Sequence, residues 1–151
     1  MPTTSTRTHP GSRFFTAGCC VAILTGIVKA GTHFIEQPAP TTPDEAELLR
    51  LMSGFVLPEI GRTTEQILLG FSWWFCLAMV APALISMAVR RGRAGDGALL
   101  RTLAVGHALM MGVGLVISLR YFFAIPTGFI GTAFACYTVA GCRALSAAPA
   151  A

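Results

Sequence analysis

The 151-residue chain is 54% hydrophobic and only 12% charged, with a mean hydropathy of +0.66; soluble domains carry roughly a quarter charged residues. That composition excludes an ordinary water-soluble domain and places the chain in the membrane class. The formal net charge of +4 resides in basic residues that flank apolar runs and do not gather on one face or tail, so no nucleic-acid partner is expected.

Residues 1–13 are rich in Thr, Ser and Pro, carry Arg7 and Arg13, and have little to bury. A disordered tail is expected there. Phe14 to Ile35 is the first apolar run, interrupted by Lys29 and His33. An arginine ahead of an apolar core also fits a secretory signal, with Val28-Lys29-Ala30 near a cleavage point. The run exceeds the usual signal core, which favours a retained membrane helix over 14–35. Thr16-Ala17-Gly18-Cys19 has some lipobox character, but its apolar run follows the cysteine where it should precede it.

Residues 36–64 are the one polar interval of any length. The prolines of Gln37 to Pro43 hold an extended linker. Thr42-Pro43-Asp44-Glu45 then reads as an N-cap, a first-turn proline and first-turn acids. Leu48, Leu49, Leu51, Met52, Phe55 and Val56 recur at helical spacing, predicting a short amphipathic helix along the membrane surface that ends near Gly54 or Pro58. Thr63 and Gln66 form a capping box for the next helix.

That helix contains the most decisive stretch, Ile67 to Val89, which is uncharged throughout and followed at once by Arg90, Arg91 and Arg93. At 1.5 Å per residue it is about 34 Å long, slightly more than a hydrocarbon core. The predicted span is 65–89, with Pro82 kinking and not ending it. A short Arg/Gly-rich loop reverses the chain into a third span over 98–120, where Arg101 snorkels near the start. Ala104, Ala108 and Gly112 form a small-residue stripe along it. Tyr121-Phe122-Phe123 is an interfacial aromatic cluster, and Pro126 opens a fourth span over 126–145 with its own stripe of Gly128, Thr132, Cys136 and Ala140. Residues 146–151 are a loose tail. The fold expected is an all-α, four-span, up-down-up-down bundle with an amphipathic helix in the first loop.

Arg7, Arg13, Arg90, Arg91, Arg93, Arg101 and Arg143 fall on one side of this bundle, against Lys29, Arg50, Arg62 and Arg120 on the other. The positive-inside rule then puts both termini in the cytoplasm of a multi-pass cell-membrane protein.

In that topology Lys29, His33, Glu65 and Arg120 converge near the outer surface and form a candidate ligand cluster. Snorkelling, a Lys29–Glu65 pair and ordinary headgroup contact are the blander reading of the same residues. Trp73, Trp74 and His107 lie deeper and are candidate cavity-lining residues, with core packing the plainer alternative. His107 with Cys76 and Cys136 has the donor chemistry of a soft-metal site, yet each ligand would come from a different helix, so no metal is expected. Haem would need two histidines at matched depth, and His33 and His107 are not. None of the five cysteines forms a C-x-x-C pair, their number is odd, and each fits as a small apolar residue. No nucleophile elbow, phosphate loop, H-E-x-x-H or paired intramembrane carboxylates occur.

Gly70-Phe71-Ser72 and the Arg120-Tyr-Phe-Phe-Ala-Ile-Pro126 junction give the chain from Phe14 to Leu145 a pattern that resembles small bacterial four-helix integral membrane proteins of uncharacterised activity. The resemblance implies architecture and inner-membrane location only. The function expected is non-enzymatic binding of a lipid-like ligand or of membrane partners, with the bilayer itself and a homo-oligomer among them and no cofactor. The alternative is a redox or transport protein using the outer polar cluster or His107.

Overall fold

The computed structural model describes residues 9–35, 39–93, 95–122 and 124–146. Five α-helices form among them: α1 (Ser12–Gly31), α2 (Pro43–Gly54), α3 (Thr64–Gly92), α4 (Gly97–Tyr121) and α5 (Ala124–Ser146). A 3-10 turn at Thr32–Phe34 prolongs α1, and two short strands, β1 (Val56–Leu57) and β2 (Arg62–Thr63), lie between α2 and α3. Ser12–Phe34, Thr64–Gly92, Gly97–Tyr121 and Ala124–Ser146 are each helical, long enough and apolar enough to cross a bilayer. Every predicted span therefore falls on a helix, with its ends displaced by a few residues. The expected N-terminal tail is shorter than 1–13, because α1 already starts at Ser12. Residues 1–8 and 147–151 of the expected tails, and Phe123 of the aromatic cluster, lie outside the described residues.

The helix starts follow from local chemistry. Thr42 Oγ1 accepts the Glu45 N–H at 3.2 Å, Pro43 occupies the first turn, and Glu45 Oε2 accepts from the Thr41 N–H at 2.7 Å and the Thr41 hydroxyl at 2.9 Å. Before α3, Thr63 Oγ1 accepts the Gln66 N–H and Gln66 Oε1 accepts the Thr63 N–H, both at 3.2 Å. This is the reciprocal capping box read from the sequence. Asp96 caps α4 by accepting the Leu99 N–H at 2.9 Å. Pro82 lies inside α3, which continues through it without a break.

The hairpin is a departure from the expected course. Val56 pairs with Thr63 and Leu57 with Arg62 in antiparallel register. The intervening four residues turn on the Leu57 carbonyl, which accepts the Ile60 and Gly61 N–H groups at 3.2 and 2.8 Å. Gly61 closes the turn at φ +65°, a left-handed conformation that costs a side-chain-bearing residue.

The chain divides into two compact units, one of Met1–Thr25 with Met79–Ala151 and one of Gly26–Ala78. In the first, α4 and α5 lie side by side. Gly141 sits against Ala104 and Val105, Gly112 against Phe134, Gly114 against Ile130, and the Ser118 and Thr127 hydroxyls hydrogen-bond at 2.7 Å. As the numbers rise on α4 they fall on α5, so the two helices are antiparallel. Leu100, Ala104, His107, Met111 and Ser118 are the buried stripe of α4, and Ile130, Ala133, Tyr137, Ala140, Gly141 and Ala144 that of α5. The small-residue stripe expected on α5 was therefore out of phase. Ala140 belongs to the buried face, whereas Gly128 meets open space and Thr132 is exposed.

This unit buries several polar side chains within a mainly apolar core and exposes large apolar ones. Ser86, His107 and Ser118 are buried, while Leu109, Val113, Val116 and Leu119 of α4 stand exposed. A bilayer favours that distribution, because association of spans rests on packing and hydrogen bonding and not on hiding apolar surface from water. In the second unit, the 3-10 turn after α1 meets α3 through rings, and α2 leads into the hairpin through the Leu51 carbonyl, which accepts the Phe55 N–H at 3.0 Å.

Candidate functional site

Three of the four residues expected in the outer polar cluster belong to the Gly26–Ala78 unit. Lys29 is exposed in the last turn of α1, His33 is half-buried in the 3-10 turn, and Glu65 is exposed in the first turn of α3. Among the described residues the one ion pair is Glu47–Arg50 at 2.7 Å, so Lys29 and Glu65 are not paired. Arg120 is exposed in the last turn of α4 and belongs to the other unit.

What the structure joins instead is His33 to Trp73. Their rings stack at a centroid distance of 4.9 Å and an interplanar angle of 30°, and Phe34 meets the same indole edge-on at 6.2 Å. His33 Nε2 is enclosed and has no hydrogen-bond partner among the described residues. Trp73 also lines an open recess of about 380 Å³ with Arg62, Gln66, Ile67, Leu69 and Gly70. The recess follows one face of α3, because positions 66, 69, 70 and 73 recur at helical spacing, and Arg62 of β2 stands at its start. It is polar at its Arg62–Gln66 end and apolar beyond. Gly70 leaves the room, since a Cβ there would meet nothing within 4 Å. Trp74 points elsewhere, 66% exposed, and does not line the recess.

The third residue expected to line a cavity, His107, is in the core of the other unit. Its Nδ1 lies 2.9 Å from the Leu103 carbonyl. A carbonyl only accepts, so Nδ1 carries a hydrogen, and Nε2 faces the Ser86 hydroxyl at 3.4 Å. Tyr137 packs on the imidazole at 4.8 Å and Phe15 meets both rings edge-on, at 5.8 and 5.6 Å. The Tyr137 hydroxyl donates to Cys19 Sγ at 3.5 Å. His107 thus has partners on both nitrogens and aromatic rings around it, and it does not line the recess on α3. Among the described residues, no three His, Cys, Asp or Glu side chains converge to hold a metal ion.

Sequence reasoning did not single out Phe15, Tyr137 or Ser86 for this core, nor Arg62, Gly70 and Gln66 for the recess. Tyr137 did carry a signal, as a hydroxyl in the middle of an apolar span. The recess did not, because its volume depends on which face of α3 the neighbouring turn leaves uncovered.

No protein-family model, curated protein or solved structure matches the chain. Function therefore has to be argued from the site.

In the loop between the first two spans, two carboxyls titrate below the ordinary glutamate range. Hydrogen bonds from the Thr41 backbone and hydroxyl lower the pKa of Glu45, and the Arg50 guanidinium lowers that of Glu47. Both are fully exposed helix-stabilising groups, and neither touches the recess.

Proposed function

We propose that the chain is a four-span, up-down-up-down protein of a bacterial-type inner membrane, both termini cytoplasmic, that binds a lipid-like amphiphile without chemically changing it. The observation that carries this reading is the recess on α3. Arg62 and the free amide hydrogens of Gln66 offer donors to a polar headgroup at one end. Ile67, Leu69, Gly70 and the Trp73 face offer apolar contact to a chain. Exposed Glu65 lies beside this rim, so the site suits a neutral or zwitterionic headgroup better than an anionic one. The α2 helix and the start of the hairpin after it support membrane contact nearby in sequence: Leu48, Leu51, Phe55 and Val56 are exposed apolar residues.

The test uses the full-length protein in nanodiscs containing phosphatidylcholine with a photoactivatable diazirine in its acyl chain. Labelling is expected to concentrate on the peptide spanning Gly70 and Trp73, and Gly70→Leu, which fills the recess, is expected to remove that concentration. Labelling spread evenly over the exposed positions of α3, or unchanged in Gly70→Leu, would refute the reading.

A further inference from the structure

Charge divides unevenly between the two units. The Gly26–Ala78 segment holds six of the seven carboxylates, whereas Met1–Thr25 with Met79–Ala151 holds eight arginines and one carboxylate, Asp96. That one acid is engaged at the start of α4, accepting the Leu99 N–H. Among the described residues no arginine of this unit has a carboxylate partner.

Contacts within the unit bring most of these arginines to one end. Arg90, in the last turn of α3, donates to Ser12 Oγ at 3.0 Å and lies 5.6 Å from the Phe15 ring. Ser12 opens α1, so the end of α3 meets the start of α1. Arg143, in the last turn of α5, lies over the Phe14 ring at 4.5 Å. Gly11 approaches α5 so closely that a Cβ on it would be 2.6 Å from the Ala140 carbonyl oxygen. His9 crowds Gly97, the first residue of α4, in the same way. Arg13, Arg91 and Arg93 occupy these same helix ends, and Arg101 lies one turn into α4.

From that end an open groove of about 490 Å³ runs along α4, lined by Ala98, Arg101, Thr102, Val105, Gly106 and Leu109. Arg101 is exposed, and a Cβ on Gly106 would meet nothing within 4 Å. The groove is cationic at its mouth and apolar along its length.

We propose that this groove seats an anionic phospholipid, its phosphate on Arg101 at the arginine-rich end and one acyl chain along Val105, Gly106 and Leu109. Charge complementarity selects the occupant. Several guanidiniums without carboxylates create a field that concentrates anionic headgroups, and each arginine at the surface is worth about fivefold in affinity for an anionic lipid. The guanidinium fork matches phosphate oxygens in pairs. The groove belongs to the other unit from the α3 recess, so this inference does not depend on the function proposed above.

The test is native mass spectrometry of the detergent-purified full chain, titrated with phosphatidylglycerol or with phosphatidylcholine of the same acyl chains. Phosphatidylglycerol is expected to bind several-fold more tightly. Arg101→Gln should lower its affinity about fivefold and leave phosphatidylcholine nearly unchanged. Arg120→Gln, at the other end of α4, should preserve the preference. Gly106→Leu, which fills the groove, should weaken both lipids. Equal affinity for the two lipids, or equal losses from Arg101→Gln and Arg120→Gln, would overturn the proposal. So would full displacement of phosphatidylglycerol by millimolar inorganic phosphate, which would indicate a free-anion site without a chain groove.

Discussion

Gly18 is where α1 lies against the Tyr137 ring of α5, and it allows a test of the core in numbers. A Cβ on Gly18 would lie 2.9, 3.0 and 3.1 Å from three carbons of the Tyr137 ring. Ring and methyl cannot coexist at that distance, so one must move. Tyr137 is fully buried, with Phe15 and His107 against it. Overpacking of such a core costs about 1–3 kcal/mol. Against this, replacing a helical glycine by alanine gains about 0.8–1.0 kcal/mol of helix propensity. Gly128→Ala in α5 isolates that gain, because its Cβ would meet open space. The difference between Gly18→Ala and Gly128→Ala should therefore be the packing term, about 1–3 kcal/mol, and 2 kcal/mol is about 30-fold in the unfolding equilibrium. Far-UV circular dichroism during unfolding in mixed dodecylsulfate and maltoside micelles measures it. In a Tyr137→Leu background the penalty of Gly18→Ala should largely vanish, giving a coupling energy of similar size. If Gly18→Ala proves as stable as Gly128→Ala, or the penalty survives without the ring, the packing argument is wrong.

Three further outcomes follow from the same structure. His107→Ala should cost about 2–4 kcal/mol in that assay through loss of ring packing, whereas Ser86→Ala should cost about 0.6 kcal/mol, the usual size of an interhelical hydrogen bond in a membrane. Equal costs would show that the 3.4 Å polar contact, not packing, holds the core. Thr63→Ala removes one half of the reciprocal cap and should destabilise the start of α3 by about 1 kcal/mol, seen as faster amide exchange at Gln66. Uniform exchange would contradict it. Finally, the folded-state pKa of Glu45 is depressed, so its contribution to the start of α2 is complete above the unfolded glutamate value of about 4.3 and is lost as pH falls through the lower folded value. The Thr41 amide chemical shift should titrate with a midpoint below that of a free glutamate peptide, and a midpoint at or above it would rule out the cap.

The spans and caps were legible in the sequence because they depend on local chemistry and on the bilayer as solvent. A run such as Ile67 to Val89 has no face to show water, and Thr63 and Gln66 reach each other within one helical turn. The β1–β2 hairpin was not legible, because two-residue strands have no periodicity to detect and only Gly61 marks the turn. The face that α5 buries was misread for a different reason. Gly128, Thr132, Cys136 and Ala140 are the small side chains, but α1 and α4 supply the small partners, Gly18, Gly112 and Gly114, and α5 answers with Tyr137, Phe134 and Ile130. Packing complementarity joins small residues to large ones across an interface, so a stripe of small residues on a single helix does not reveal which way that helix faces.

Of the ionisable residues singled out from the sequence, Lys29 and Glu65 are not paired with each other. A charge within a span is expensive and draws notice, which made Lys29 and His33 conspicuous. Each has instead a local solution: Lys29 is exposed at its helix end and His33 stacks on Trp73. Arg101 was read as an arginine that snorkels near the start of its span, with nothing beside it in sequence to set it apart as a ligand-binding arginine. It differs only because Gly106, five residues on, leaves a groove beneath it that an acyl chain can fill. A binding site in a bilayer needs both a charge at headgroup depth and a vacancy along the chain. Removing either one, by Arg101→Gln or by Gly106→Leu, should therefore weaken anionic lipid more than removing any arginine that lacks a groove.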